Sequence, residues 1–91
     1  MQPIQNLSTG VLAQIVRRQP PSKARTAFAW QLAVGPALAR ATTVSLEGGV
    51  LSVWAADPRW IRELERSRDL VLLKMQTLLG VDQISALRTR Q

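Results

Sequence analysis

The spacing of apolar residues predicts helices in the first third of the chain. Over residues 6–18 apolar side chains recur every three or four positions, which indicates a first amphipathic helix. The run 19–21, Gln-Pro-Pro, ends this helix, because proline lacks a backbone donor and disfavours a helical residue before it. A second helix is predicted over residues 22–35 with Ser22 as its N-cap, and Pro36 is placed to open a further short turn.

The period then changes from helical to alternating, which predicts an antiparallel hairpin. Thr42, Val44 and Leu46 fall on one face of a first strand. The Gly48-Gly49 pair supplies the positive φ that a tight hairpin turn needs. Over residues 51–56 apolar side chains alternate again, and these form the second strand.

A long helix is predicted after the hairpin. Asp57 is a suitable N-cap, and the helix runs over residues 58–79 until Gly80 ends it. Leu70 and Leu73 fall outside the main apolar stripe of this helix, and so we expect them to be exposed.

The last residues predict a short third strand. Leu87 and Thr89 alternate with Arg88 and Arg90 there. The predicted order is therefore helix, helix, strand, strand, helix, strand, which is an α+β pattern. With 91 residues, one domain over 1–91 with its core at about 7–90 is expected.

The composition argues against an enzyme. The chain has no cysteine and no histidine, so a disulfide scaffold, a thiolate metal site and the commonest general base are excluded. Only six carboxylates are present, and no phosphate-binding loop or zinc-ligand spacing occurs. We therefore expect no catalytic residues, no metal, no cofactor and no small-molecule substrate. No apolar run is long enough to span a membrane and no signal-peptide layout is present, so the expected location is cytoplasmic.

The charge points to a phosphate-bearing partner. The formal net charge is +6, and ten of the twelve basic residues are arginine. Such a balance favours nucleic acid, because each phosphate that is neutralised releases counterions. The segment 17–25 concentrates four basic residues without an acidic one, while the long helix mixes both signs. A phosphate track is predicted at Arg17, Arg18, Lys23, Arg25, Arg40, Arg88 and Arg90. The alternative is a solvated basic face that serves only solubility.

Three tryptophans could stack on bases or fill the core. Trp30 lies in an apolar helical segment and Trp54 beside valine and alanine, so both are predicted as core residues. Trp60 stands between Arg59 and Arg62 in the first turn of the long helix. For Trp60 a core position and an aromatic anchor for a partner remain equally open.

Four short motifs in one order resemble a known family. The chain carries W-x-x-x-V-G-x-x-L-A from Trp30 and G-x-L-x-V from Gly49. A tryptophan-led helix start follows at residues 60–64, and I-x-x-L-R follows at residues 84–88. Over nearly the whole chain this resembles the folded domain of the DciA family, bacterial proteins linked to loading or operating the replicative helicase.

The resemblance implies a fold and two partners. The implied fold is a KH-like α/β sandwich with a three-stranded sheet packed against helices. The implied partners are DNA and the hexameric DnaB-type replicative helicase, without catalytic activity. Carried over by position, Trp30, Gly35, Leu51 and Val53 correspond to fold determinants. Trp60, with Leu64 in the same helix start, corresponds to the candidate partner-binding surface.

The chain also departs from the family and from KH domains. Ala41-Thr42 stands where members often have histidine and threonine, and Val44 where a proline is often found. A KH domain clamps a single strand with a G-x-x-G loop, and the nearest segment here, residues 35–38, lacks the second glycine. A phosphate track is therefore favoured over the usual KH mode.

Three functions remain as hypotheses at this point. The leading one is a non-enzymatic adaptor that binds the replicative helicase and DNA. The second is a KH-like RNA-binding module, for example on ribosomal RNA. The third is a domain that binds only protein.

Overall fold

Three β-strands form one layer of the protein, and helices pack against it. The computed structural model describes residues 9–90, and the first three predicted positions of the first helix lie outside that range. The elements are, in chain order, α1 (Thr9–Arg18), α2 (Lys23–Val34), α3 (Pro36–Ala41), β1 (Thr42–Glu47), β2 (Val50–Ala55), α4 (Pro58–Arg66), α5 (Arg68–Leu79) and β3 (Ala86–Arg90). The fold is thus α+β, as the hydrophobic pattern predicts.

The strand order is β1-β2-β3, so β2 is the central strand. β1 and β2 are antiparallel with Val44 opposite Val53, which confirms the predicted hairpin. Gly48 and Gly49 form its turn with φ values of 56° and 81°, a conformation that favours glycine. β3 pairs parallel to β2 with Leu87 beside Leu51, which confirms the predicted last strand and makes the sheet mixed.

The core lies between one face of the sheet and the helices. Leu51 and Val53 of β2 are fully buried, and they belong to one cluster with side chains from all the longer helices. Trp30 is only 2% exposed in this cluster, so its predicted core position is correct. The opposite face of the sheet carries the alternate residues of each strand and remains open to solvent.

A pair of hydrogen bonds joins α2, α3 and β1. The Trp30 indole Nε1 donates to the Thr42 hydroxyl oxygen at 2.9 Å. The Thr42 hydroxyl in turn donates to the Leu38 backbone carbonyl at 2.8 Å. Gly35 ends α2 with φ 91° and also begins α3, and its N–H donates to the Gln31 carbonyl. The chain therefore turns from helix to sheet around a buried, hydrogen-bonded tryptophan.

The predicted long helix is divided in two at Ser67. The Ser67 hydroxyl donates to the Glu63 carbonyl at 2.7 Å, and its backbone leaves the helical region at φ −105° and ψ 16°. A hydroxyl that bonds back to the preceding turn often bends a helix, although Thr26 and Thr77 make the same bond within unbroken helices. Leu70 and Leu73 of α5 are exposed, as predicted. None of the helices in residues 9–90 is long and apolar enough to cross a membrane.

The predicted core position of Trp54 is wrong. Trp54 is 40% exposed. The side chains of β2 alternate, with Leu51, Val53 and Ala55 turned toward the helices. Trp54 therefore falls with Ser52 on the open face of the sheet.

We expect Thr42→Val to destabilise the protein more than Thr42→Ser. Valine has the shape of threonine but leaves the buried Trp30 Nε1–H without an acceptor. An unsatisfied buried donor costs about 1–3 kcal/mol. Serine keeps the hydroxyl and serves as the matched control. Urea unfolding followed by tryptophan fluorescence measures both; equal free energies of unfolding for the two variants would show that the hydrogen bond contributes nothing.

Candidate nucleic-acid interface

An open groove lies between helices α2 and α3 and strand β1, which is an edge strand of the sheet. We call it the edge groove. It has a volume of about 370 Å³, and two exposed cations, Lys23 of α2 and Arg40 of α3, line it. The polar side chains of Gln31 and Thr43 line it as well. The packing of Trp30 against Thr42 positions α3, and thereby Arg40, beside the strand.

The edge groove continues toward the start of α2. A second depression of about 310 Å³ shares Lys23 and Val44 with it and extends to the end of β1. Ser22 caps α2 here, since its hydroxyl oxygen accepts from the Arg25 N–H at 3.1 Å, as predicted for an N-cap. Glu47 places a carboxylate at the far end of this depression. Arg25 also lines this depression beside Lys23, whereas no carboxylate of residues 9–90 lines the Lys23–Arg40 part of the groove.

Arg25 does not have the exposed position expected of a phosphate ligand. It is only 8% exposed, because it falls on the stripe of α2 that also buries Ala29, Trp30 and Ala33. Its guanidinium Nη1 donates to the Gln19 carbonyl at 3.4 Å, while Nε has no hydrogen-bond partner among residues 9–90. Arg25 thus connects α2 to the α1–α2 linker. Its helical spacing of four and eight positions from Ala29 and Ala33 was the sequence signal that could have revealed this.

The remaining predicted cations divide between two other parts of the surface. Arg17 and Arg18 are exposed at the end of α1, and the Arg17 guanidinium donates to the Thr77 carbonyl of α5 at 2.9 Å. Neither of them lines the edge groove. Arg88 and Arg90 lie on the open face of the sheet. The seven predicted residues therefore do not line one groove.

Sequence reasoning missed Trp54 as a site residue. Its ring lies on the open sheet face with Arg88 and Arg90, in a depression of about 360 Å³. A smaller depression joins Trp54 to Arg40 around the start of β1. The strict alternation of β2 was the signal, because it assigns Trp54 to the side opposite Leu51 and Val53.

Trp60 lies in the first turn of α4 and is half-buried. With Arg59 and Glu63 it lines an open depression of about 460 Å³. Leu64, predicted with Trp60 as a partner-binding residue, is only 1% exposed and belongs to the core. One turn further along the helix Leu64 faces the sheet, so it supports α4 rather than offering a contact surface.

Asp57 holds the start of α4. Its carboxylate accepts from the Arg59 backbone N–H at 2.9 Å and forms an ion pair with the Arg59 guanidinium at 2.8 Å. The side-chain hydrogen bond from Arg59 lowers the pKa of Asp57 below its usual 3.8. The same bond raises the pKa of Arg59. These contacts orient the helix turn that carries Trp60.

Comparison with known proteins identifies a family. The sequence model described as "Dna[CI] antecedent, DciA" matches residues 3–89. A comparison with curated proteins gives no match. Because the family match spans nearly the whole chain, the chain belongs to the DciA family, a family associated with loading of the replicative helicase. The resemblance in the four motifs is thereby confirmed.

We expect Asp57→Asn to lower the thermal midpoint at pH 7 and to matter less in acid. Asparagine can still cap the helix but loses the ion pair. Because folding lowers the pKa of Asp57, its contribution is fully present above about pH 3.8 and is lost as the pH falls further. Circular dichroism melts of both proteins from pH 7 to about pH 2.5 measure the difference, with Asp69→Asn as control. A gap between wild type and Asp57→Asn that stays constant over this range would contradict the assignment.

Proposed function

We propose that this member of the DciA family is a non-enzymatic replication adaptor, a single KH-like domain that binds the DnaB-type helicase and DNA and assists helicase loading. The observation that carries the proposal is the family match over residues 3–89. The edge groove supports the DNA contact, and the surface around Trp60 supports the protein contact.

The topology supports the KH-like assignment. Three strands with one antiparallel and one parallel pairing lie under helices on one side. Residues 35–38, at the junction of α2 and α3, are the segment most similar to a G-x-x-G clamp, and they lack its second glycine. Pro36 of this junction borders the edge groove, and the cations nearby are side chains of Lys23 and Arg40. Side-chain charge therefore replaces a backbone clamp as the means of holding phosphates.

The DNA contact is electrostatic in origin. The net charge of +6 attracts a polyanion from a distance. Lys23 and Arg40 are exposed, and neither forms one of the ion pairs seen among residues 9–90. A phosphate that binds them replaces water and counterions without first breaking a salt bridge. Such a contact positions DNA without reading its sequence.

The helicase contact centres on α4. Trp60 is half-buried beside an open depression, an arrangement in which an aromatic side chain can anchor a partner. Asp57 caps the helix turn that carries Trp60 and pairs with Arg59. The exposed leucines of α5, Leu70 and Leu73, offer a comparison surface for the same experiment.

We expect the double variant Lys23→Glu/Arg40→Glu to bind DNA at least about tenfold more weakly near 0.1 M salt. The slope of log K against log salt should also fall by about two, one for each lost phosphate contact. Fluorescence anisotropy with a labelled oligonucleotide measures both quantities. The control is Arg66→Glu/Lys74→Glu, which makes the same charge change on exposed positions of α4 and α5.

Two results would contradict the DNA contact. One is binding by the wild type that does not depend on salt. The other is equal affinity of the groove variant and the control variant. Competition among single-stranded DNA, duplex DNA and structured RNA at one salt concentration separates the adaptor from the RNA-binding alternative. That alternative requires structured RNA to bind with the highest affinity of the three.

We expect Trp60→Ala to keep the fold but lose capture by the cognate replicative helicase. Removing a central aromatic anchor typically costs an interface 2 kcal/mol or more, about thirtyfold in Kd. Pull-down with the purified hexamer, with and without DNA, measures capture, and circular dichroism checks the fold. The control is Leu70→Ala/Leu73→Ala, which removes exposed apolar surface from α5. Capture that persists in Trp60→Ala, or a domain that melts in that variant, would show that Trp60 is not the anchor.

A further inference from the structure

We infer that the open face of the sheet is a stacking platform for single-stranded DNA. An unpaired base lies on the Trp54 ring, while Arg88 and Arg90 contact the phosphates beside it. The inference rests on the proposed DNA binding and adds to it a second surface and a preference for single strands.

The register of the strands places the three side chains together. Thr43, Trp54 and Arg90 occupy one row across the sheet. Ser45, Ser52 and Arg88 occupy the next row. Neighbouring strands lie about 4.8 Å apart and successive rows about 7 Å apart. Arg90 therefore lies directly beside Trp54 on β3, and Arg88 lies one row further along the same strand.

Trp54 is accessible because two of its neighbours on this face are small. Thr43 on β1 and Ser52 on β2 cannot cover an indole, and Trp54 is 40% exposed. A large apolar group in this position loses the free energy that burial would provide. Every base presents a flat face, so stacking on such a ring accepts any sequence.

The charge around Trp54 suits a phosphate backbone. Arg88 and Arg90 are exposed, and neither is in one of the ion pairs seen among residues 9–90. Thr89 between them points to the other side of the sheet, where its hydroxyl donates to Glu65 at 3.2 Å. The carboxylate in this depression, Glu47, lies two rows away from Trp54, beside Val50.

The platform is continuous with the edge groove. A depression lined by Arg40, Thr43 and Trp54 joins the two around the start of β1. One strand can therefore pass from Lys23 and Arg40 to Trp54 and then to Arg90. In a duplex the bases are already stacked on one another, so Trp54 has no free base face to bind. The platform is thus selective for single strands.

We expect Trp54→Ala to weaken binding of a labelled oligo-dT by about 5- to 160-fold, which corresponds to the loss of about 1–3 kcal/mol of base stacking. Trp54→Phe keeps a stacking ring and should retain most of the affinity. Binding of a duplex of equal charge should change less than twofold in either variant. Arg88→Gln/Arg90→Gln should weaken single-strand binding and lower its salt dependence. Anisotropy titrations at several salt concentrations measure the affinities and their salt dependence, and circular dichroism verifies each fold.

The outcomes separate this inference from the proposed function. If Lys23→Glu/Arg40→Glu loses DNA but Trp54→Ala binds oligo-dT like the wild type, the platform is wrong and the DNA contact stands. If the wild type binds no nucleic acid, both are wrong. A preference for oligo-U over oligo-dT overturns the assignment to DNA. A dimer that Trp54→Ala dissociates in sedimentation, without loss of DNA affinity, would show that a second copy covers this face.

Discussion

The hydrogen-bonded packing of Trp30 against Thr42 is the contact on which the arrangement of the surface depends. One indole buries its ring in the core and donates to the first residue of β1, whose hydroxyl bonds to the Leu38 carbonyl of α3. These two hydrogen bonds connect α2, α3 and β1 in one relative orientation. They add to the apolar packing of Leu38 and Ala39 in keeping α3, and with it Arg40, against the edge strand. A buried donor that has a single acceptor specifies geometry more strictly than apolar packing does, because the alternatives leave it unsatisfied.

The second constraint is the two-sided character of a three-stranded sheet. The helices cover one face, where Leu51 and Val53 are buried, and leave the other face to solvent. Period-two alternation then decides which residues are presented, so the same strand that fills the core also exposes Trp54. The edge groove and the open face meet at the start of β1. A small domain thus offers connected basic surfaces without a dedicated loop.

The errors of sequence reasoning have definite physical causes. Arg25 and Leu64 were assigned to binding by residue type and by position in a motif, yet helical spacing places both toward the core. Trp54 was assigned to the core because it lies beside valine and alanine in a small domain, although its strand position required the opposite. Composition and periodicity do not reveal the break at Ser67, where the hydroxyl bonds back to the Glu63 carbonyl. For Arg25, Leu64 and Trp54, the position in the helix or strand period therefore indicates burial or exposure more reliably than the residue type does.

What the sequence by itself determined is local in origin: the elements, the hairpin turn, the caps at Ser22 and Asp57, the alternation of the strands and the family. These follow from backbone preferences and short-range periodicity, which act between residues a few positions apart. What only the tertiary structure decided is which cations share a surface. Lys23 and Arg40 line one groove, while Arg17 bonds to α5 instead. Residues far apart in the chain are brought together when whole helices and strands pack. The hydrophobic pattern along the chain does not specify how far apart such residues lie in the folded protein.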